Sequence, residues 1–424
     1  MADPGAESGD ESVTTDLADI DLTRSELVRK GFPHEIFTML RREAPVWWHP
    51  MPDGLPVKTD EGFWVLSKYD DIQAVNRDTE LFSSADGPSL SLNPEMKGAM
   101  LVSMDGHAHI RQRQIISAGF TPRMVGRLED QARRWAVSIV EDALEKGTCD
   151  FVADVAYQLP MHMIADIVGI PPEDRQWLFT LTNDFLQGSD PDHPISREQQ
   201  MGKQVEMFQY AQQLCEEKRK NPQDDIWTII STFEMEDDKG ERSAMSQIEL
   251  NFFFLLLTVA GSETTRNAIS GGLLALLDHP DQLETMRSDP SAMRPAVEEI
   301  IRWTSPVAYF ARRATRDTQI RGVKIAEGQR VTLWYPSANR DEDVFDDPFR
   351  FDIHRKSNQQ IAFGGGGAHF CLGANLARRE IAILFEELLK RTTKIELLKR
   401  PKYNSLSLFN PIYLALRELP VRLS

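Results

Sequence analysis

The chain of 424 residues contains only three cysteines, Cys149, Cys215 and Cys371. They are too few and too far apart for a disulfide framework and match no zinc-finger spacing, so a reducing, cytoplasmic setting is expected. Basic residues are in deficit: 48 Lys and Arg stand against 65 Asp and Glu, a net charge of −17. A field of that sign repels nucleic-acid phosphate and anionic lipid, so nucleic acid is not expected as a partner. Long hydrophobic runs are missing as well. The longest, Phe252 to Ala260, covers nine residues including Thr258, roughly half of what a membrane span requires. No Lys or Arg precedes residue 24, whereas seven acids do, the reverse of a signal or transit peptide. Residues 1–23 are therefore expected to form an acidic, flexible leader. No Pro/Gly/Ser-rich linker or internal repeat divides the remainder, and residues 24–424, in a chain that is 41% hydrophobic and 27% charged, read as one large domain.

Strand-like segments are few. Phe63 to Leu66 reads as a short strand, and Thr318–Ile325 with Gln329–Trp334 as a hairpin around Ala326-Glu327-Gly328. Apolar residues spaced by three and four mark helices near 107–119, 122–146, 151–168, 172–187, 197–219, 246–277, 281–287, 291–303 and 372–391. The segment from Ser246 to Leu277 opens on the capping box Ser246-Gln-Ile-Glu249 and would be about 45 Å long. Its middle is apolar nearly all round, as in a helix buried on every side, until Glu263-Thr264-Thr265 interrupts it.

A glycine-rich loop, Phe363-Gly364-Gly365-Gly366-Gly367-Ala368-His369-Phe370-Cys371-Leu372-Gly373, runs into one cysteine at a helix start. Helix N-terminal amides stabilise a thiolate, and the glycines let the backbone approach a flat ligand closely, which together suit a metal thiolate. A phosphate-cradling loop or an inert cysteine at a helix cap would leave the same pattern.

This loop resembles the haem-binding loop of the cytochrome P-450 haem-thiolate monooxygenases, with His369 two residues before the cysteine and Gly373 two after. Phe363 lies eight residues before Cys371 where the family usually has seven; that added glycine is similar to the actinobacterial branch that hydroxylates terminal methyl groups of branched lipids and sterols. Other segments carry the resemblance in the same order along the chain: His109-Ile-Arg-Gln-Arg113, Glu263-Thr264, Glu299-Ile-Ile-Arg302 and Arg312. The resemblance implies a mainly α fold, a large helical domain with a small β-rich subdomain and a long central helix. It implies heme b, with Cys371 as iron ligand, with His109, Arg113, Arg312 and His369 toward the propionates, and with Phe363, Gly365 and Ala260 against the macrocycle. Glu263 and Thr264 become the catalytic acid-alcohol pair, beside Ala260-Gly261 where the family's helix opens for dioxygen. Glu299 and Arg302 become a structural pair completed by Arg350 or Arg355.

The implied activity is hydroxylation of an unactivated C–H bond with O2 and electrons from a ferredoxin and an NAD(P)H-dependent ferredoxin reductase, since no flavin fingerprint occurs in the chain. A hydrophobic small-molecule substrate is expected against Val259, Ala260, Val307, Phe310 and Phe409, with further contacts from 89–104 and 179–207. The expected substrate is a methyl-branched lipid or a sterol side chain. A hydroxylase of terpenes or other small natural products, a peroxide-driven peroxygenase and a haem-based gas sensor are the alternatives. Arg111, Arg133, Arg134, Arg378 and Arg379 are candidates for a basic patch facing an acidic ferredoxin.

Overall fold

The computed structural model describes residues 17–54, 59–92, 96–120, 122–187, 195–236, 242–403 and 413–424. In chain order the first half runs α1 (His34–Glu43), β1 (Val46–Pro50), β2 (Gly62–Leu66), α2 (Tyr69–Arg77), β3 (Phe82–Ser83), α3 (Gly106–Ala118), α4 (Pro122–Lys146), β4 (Thr148–Asp150), α5 (Gln158–Val168), α6 (Pro172–Gln187), α7 (Arg197–Lys220), α8 (Ile226–Thr232), β5 (Met235–Glu236) and β6 (Arg242–Ser243). The second half runs α9 (Gln247–Asp278), α10 (Pro280–Ser288), α11 (Met293–Thr304), β7 (Tyr309–Ala314), β8 (Thr318–Ile320), β9 (Val323–Ile325), β10 (Arg330–Trp334), α12 (Tyr335–Ala338), α13 (Ala374–Arg391), β11 (Ile395–Leu397) and β12 (Pro420–Leu423).

The 32-residue α9 is the axis of the helical part. Its capping box forms as the spacing requires: Ser246 Oγ accepts from Glu249 N–H, and Glu249 Oε2 accepts from Ser246 N–H at 2.7 Å. Because α9 is apolar on all sides it takes neighbours on all sides, packing against α5, α7, α10, α11 and α13. The smaller part is a sheet ordered β1-β2-β10-β7-β3, with its own apolar clusters around Phe37, Phe63 and Trp334 and around Val331, Leu333 and Phe345. In β7, alternation puts Phe310 and Arg312 on one face and Arg313 on the other, where Arg313 pairs with Asp60 and Asp86.

Two expectations need correction. The hairpin turns at Arg321-Gly322, pairing β8 with β9, whereas β10 pairs with β7 and β2. Both turn residues have positive φ, which reverses the backbone there. The leader is not wholly solvated either: Ile20 and Leu22 are buried in the cluster with Phe37 and Phe63, and Leu22 N–H donates to His49 Nε2 at 2.9 Å. Alternating acids masked two apolar anchors there. No described helix is long and apolar enough to cross a membrane.

Candidate active site

One cavity lies where the sheet meets the helices, and Cys371 opens onto it. The loop that presents the sulfur has four consecutive glycines, Gly364 to Gly367, at φ +100°, +64°, +104° and +82°, a run of conformations that side chains other than glycine rarely adopt. Cys371 N–H donates to Phe363 O at 3.0 Å and closes the loop just before α13 begins. The exposed surface of Cys371 faces the cavity rather than bulk solvent, since protein encloses the thiol on nearly every other side. Burial pushes this thiol up, while Gly373 N–H, Arg113 and Arg378 pull it the other way. A coordinated cation would reverse the burial effect and hold the sulfur as thiolate. Arg378 lies 4.5 Å from the centroid of the Phe363 ring and pairs with Glu298, fixing the aromatic beside the loop.

At one edge of the cavity stand His109 and Arg113 from α3, Arg312 from β7 and His369 from the loop. The imidazoles of His109 and His369 are 4.2 Å apart between centroids. Burial, with Arg312, His109 and Arg113 adding to it, pushes His369 down to about 3; burial and then Arg113 lower His109. Both rings are therefore neutral near pH 7. His109 Nε2 is buried without a partner. Arg312, 2% exposed, donates among the described residues only to its neighbour's carbonyl, Ala311 O, and Arg113 donates to Phe370 O at 2.6 Å. Among the described residues no acid pairs with either guanidinium, and Asp105, whose charge reaches Arg312, is held by Ser83 and Ser84. A buried guanidinium, a half-buried one beside it and an imidazole nitrogen without a partner suit a ligand that brings its own anionic groups. A flat macrocycle with an iron at Cys371 and carboxylates at this edge meets that requirement, so the residues fit haem.

Along the opposite wall α9 presents Phe253, Leu256, Leu257, Ala260, Gly261 and Thr264. The helix is continuous through Ala260-Gly261, contrary to the expected opening. Thr264 Oγ1 donates to Ala260 O at 2.8 Å, one turn back along the same helix. Glu263 points away from the cavity and pairs with Arg266, itself over the Tyr157 ring. Its Oε2 has no partner; burial raises this carboxyl and Arg266 opposes the rise.

The structure thus brings together Cys371, His109, Arg113, Arg312, His369, Phe363, Ala260, Thr264, Val307 and Phe310 around one cavity. Val259 does not line it; offset from Ala260 by a helical step of about 100°, it packs in the helical core instead. Gly365 does not line it either, because its carbonyl turns outward to accept from Arg77 Nε. Within 179–207 no described residue borders the cavity, and Phe409 lies outside the described residues. Sequence reasoning gave no site role to Asn76, Tyr335, Glu380 and Tyr413, which do line it.

Glu299 and Arg302 are fully buried and joined by two 2.7 Å bonds. Arg302 also donates to Asn339 O and Pro348 O, and Glu299 accepts from Asp352 N–H, Asn358 Nδ2 and Arg355 Nε. Arg355 is therefore the third partner, and Arg350 contributes only its carbonyl. The network ties α11 to the segment that leads into the cysteine loop.

Comparison with known proteins agrees with this geometry. The family model described as cytochrome P-450 matches residues 183–393. The chain is 40% identical over 390 residues to a steroid C26-monooxygenase of Rhodococcus jostii (strain RHA1), covering 90% of this chain and 81% of that one. It is 42% identical over 376 residues to a methyl-branched lipid omega-hydroxylase of Mycobacterium tuberculosis (strain ATCC 25618 / H37Rv), with 86% of each chain covered. Among solved structures, a Mycobacterium marinum cytochrome P-450 in complex with pseudoionone superposes with a TM-score of 0.86 at 35% identity, covering 95% of this chain and 98% of that one.

Proposed function

The chain belongs to the cytochrome P-450 family and is a monooxygenase, and from that premise we propose that it hydroxylates the terminal methyl group of a methyl-branched lipid or of a sterol side chain. The observation that carries the reading is a cavity in which a cysteine sulfur and a cationic edge, uncompensated among the described residues, share space with mainly apolar walls. Heme b, when bound, supplies the dioxygen chemistry that inserts one oxygen into a C–H bond. Cys371 gives its sulfur to the iron, and His109, Arg113, Arg312 and His369 hold the carboxylates. Thr264 stands on the cavity face and exchanges its bond to Ala260 O for one to a water or ligand, delivering a proton there. Glu263, buried one residue away with a raised carboxyl, carries protons toward that turn from the Arg266 side.

Selectivity follows from strength and shape. A primary C–H bond is harder to break than the tertiary one beside it, so terminal attack needs walls that admit only the methyl end. Ala260, Val307 and Phe310 supply such walls, and the relatives that act on steroids and methyl-branched lipids support the same class. Electrons come from separate proteins, a ferredoxin and its NAD(P)H-dependent reductase, in the cytoplasm.

The test titrates the haem-loaded protein with branched-side-chain sterols, methyl-branched lipids, cyclic terpenes and small aromatics, and identifies products after turnover with ferredoxin and reductase. Sterols or branched lipids should shift the Soret band to the substrate-bound position and yield the terminal alcohol. If only terpenes or aromatics do so, the substrate assignment is wrong while the monooxygenase assignment stands.

A further inference from the structure

We infer that Asn76 is a further cofactor-holding residue, whose carboxamide N–H donates to a carboxylate of bound haem at the corner where α2 meets the glycine loop. The inference rests on the haem reading above and concerns a residue that no motif singled out. Asn76 lies in the last turn of α2, is 3% exposed, and lines the cavity together with Arg312, Tyr335 and Gly364.

The side-chain oxygen of Asn76 is already engaged and its backbone is held against the loop. Its Oδ1 accepts from the Tyr335 hydroxyl at 3.3 Å, and Tyr335 is itself buried. Its backbone carbonyl lies against the loop so closely that a Cβ on Gly367 would come within 2.5 Å of it. The next residue, Arg77, donates from Nε to Gly365 O at 3.3 Å. Asn76 Nδ2, by contrast, is buried and without a partner. With its oxygen taken by Tyr335, the amide cannot turn that nitrogen away and still satisfy both ends, and a buried N–H without an acceptor is costly. Arg312, on the same cavity and without an acid partner among the described residues, points to an anionic acceptor. A neutral amide adds a hydrogen bond to such an acceptor without adding charge to an edge that already holds Arg113 and Arg312.

The experiment compares the wild-type holoenzyme with Asn76→Leu, each loaded with haem or with haem dimethyl ester, and measures the rate of transfer to apomyoglobin. Loss of a hydrogen bond to a charged group should speed haem release about tenfold in Asn76→Leu. The ester, which lacks the carboxylate charge, should show a much smaller difference between the two proteins. Should Asn76→Leu fail to fold, Asn76→Asp keeps the shape, turns the donor into an acceptor and should show the same contrast. Equal acceleration with haem and ester would mean that Asn76 only braces α2 against the loop, and an unchanged rate would mean that it makes no bond to the haem; either overturns the inference. The carbon monoxide spectrum of the wild-type protein reports thiolate ligation separately, so failure of the haem-thiolate reading is distinguishable from failure at Asn76.

Discussion

Thr264 and Glu380 show how single side chains at this cavity can be read against plain packing. The Thr264 hydroxyl bonds back to its own helix, which alone would make it structural, yet it also borders the cavity beside Ala260 and Gly261. If it delivers protons, Thr264→Ala should leave haem binding intact and lower product formed per NAD(P)H oxidised, with the missing electrons appearing as peroxide. Unchanged coupling would return Thr264 to a helix-stabilising role. Glu380 lies on the cavity face of α13 with Leu376, Ala377 and Ile381, and burial alone pushes its carboxyl up to about 8 from 4.5. The folded protein keeps this proton between those values while the unfolded chain loses it. The stability contributed by the group is therefore full below pH 4.5 and is lost as pH rises through about 8. Glu380→Gln should make the holoenzyme more stable than wild type by about 1–3 kcal/mol at pH 8, with the gap closing toward pH 5. A gap in thermal midpoint that does not change with pH would contradict it. Residues inside motifs, such as Cys371, His109 and Arg113, were legible because they match motifs of the family that the chain resembles. Asn76 and Glu380 were not, since one Asn or Glu on a helix has no pattern and only the fold brings it to the cavity.

The glycine loop and its neighbours carry the next level of the argument. Gly367 has φ +82°, and a Cβ there would lie 2.5 Å from Asn76 O and 3.0 Å from the Arg77 Cα. Both contacts are backbone and cannot yield by a rotamer change. Gly367→Ala should therefore cost about 2 kcal/mol or more and reduce haem incorporation. Gly126, in the interior of α4 with open space where a Cβ would go, should behave oppositely: Gly126→Ala should stabilise by about 0.5–1 kcal/mol. Thermal unfolding of the two variants in parallel checks the pair, and a destabilised Gly126→Ala or a neutral Gly367→Ala would count against it. The long helices were legible because their apolar spacing coincides with burial, and the Ser246–Glu249 box located the start of α9 within a residue. The short α1 and α8 were missed, since 10 and 7 residues offer little periodicity to read. The hairpin was misplaced because β10 is buried at every position and belongs to the mixed sheet, so its sequence does not reveal its partners.

Across the whole molecule the cavity is where the two parts of the fold meet. Its walls come from α2, β7 and α12 on the sheet side and from α3, α5, α9, α11 and α13 on the helical side. A ligand filling it would join them, and Glu299 with Arg302, buried where α11 meets the segment before the loop, braces that junction from behind. The net charge of −17 leaves little free positive surface for an acidic electron donor. Of the five arginines considered for that surface, Arg111, Arg133, Arg378 and Arg379 are paired with Glu249, Glu386 and Glu387, Glu298 and Glu129. Only Arg134 has no acid partner among the described residues. The central claim is that Cys371 ligates haem iron through its sulfur, since the proposed oxygen chemistry depends on that ligand. The most direct measurement is the absorption spectrum of the reduced, carbon-monoxide-bound protein, wild type beside Cys371→Ser. Wild type should show the red-shifted Soret band of thiolate ligation and Cys371→Ser should lack it; persistence of the band in the variant, or its absence from wild type, would contradict the account.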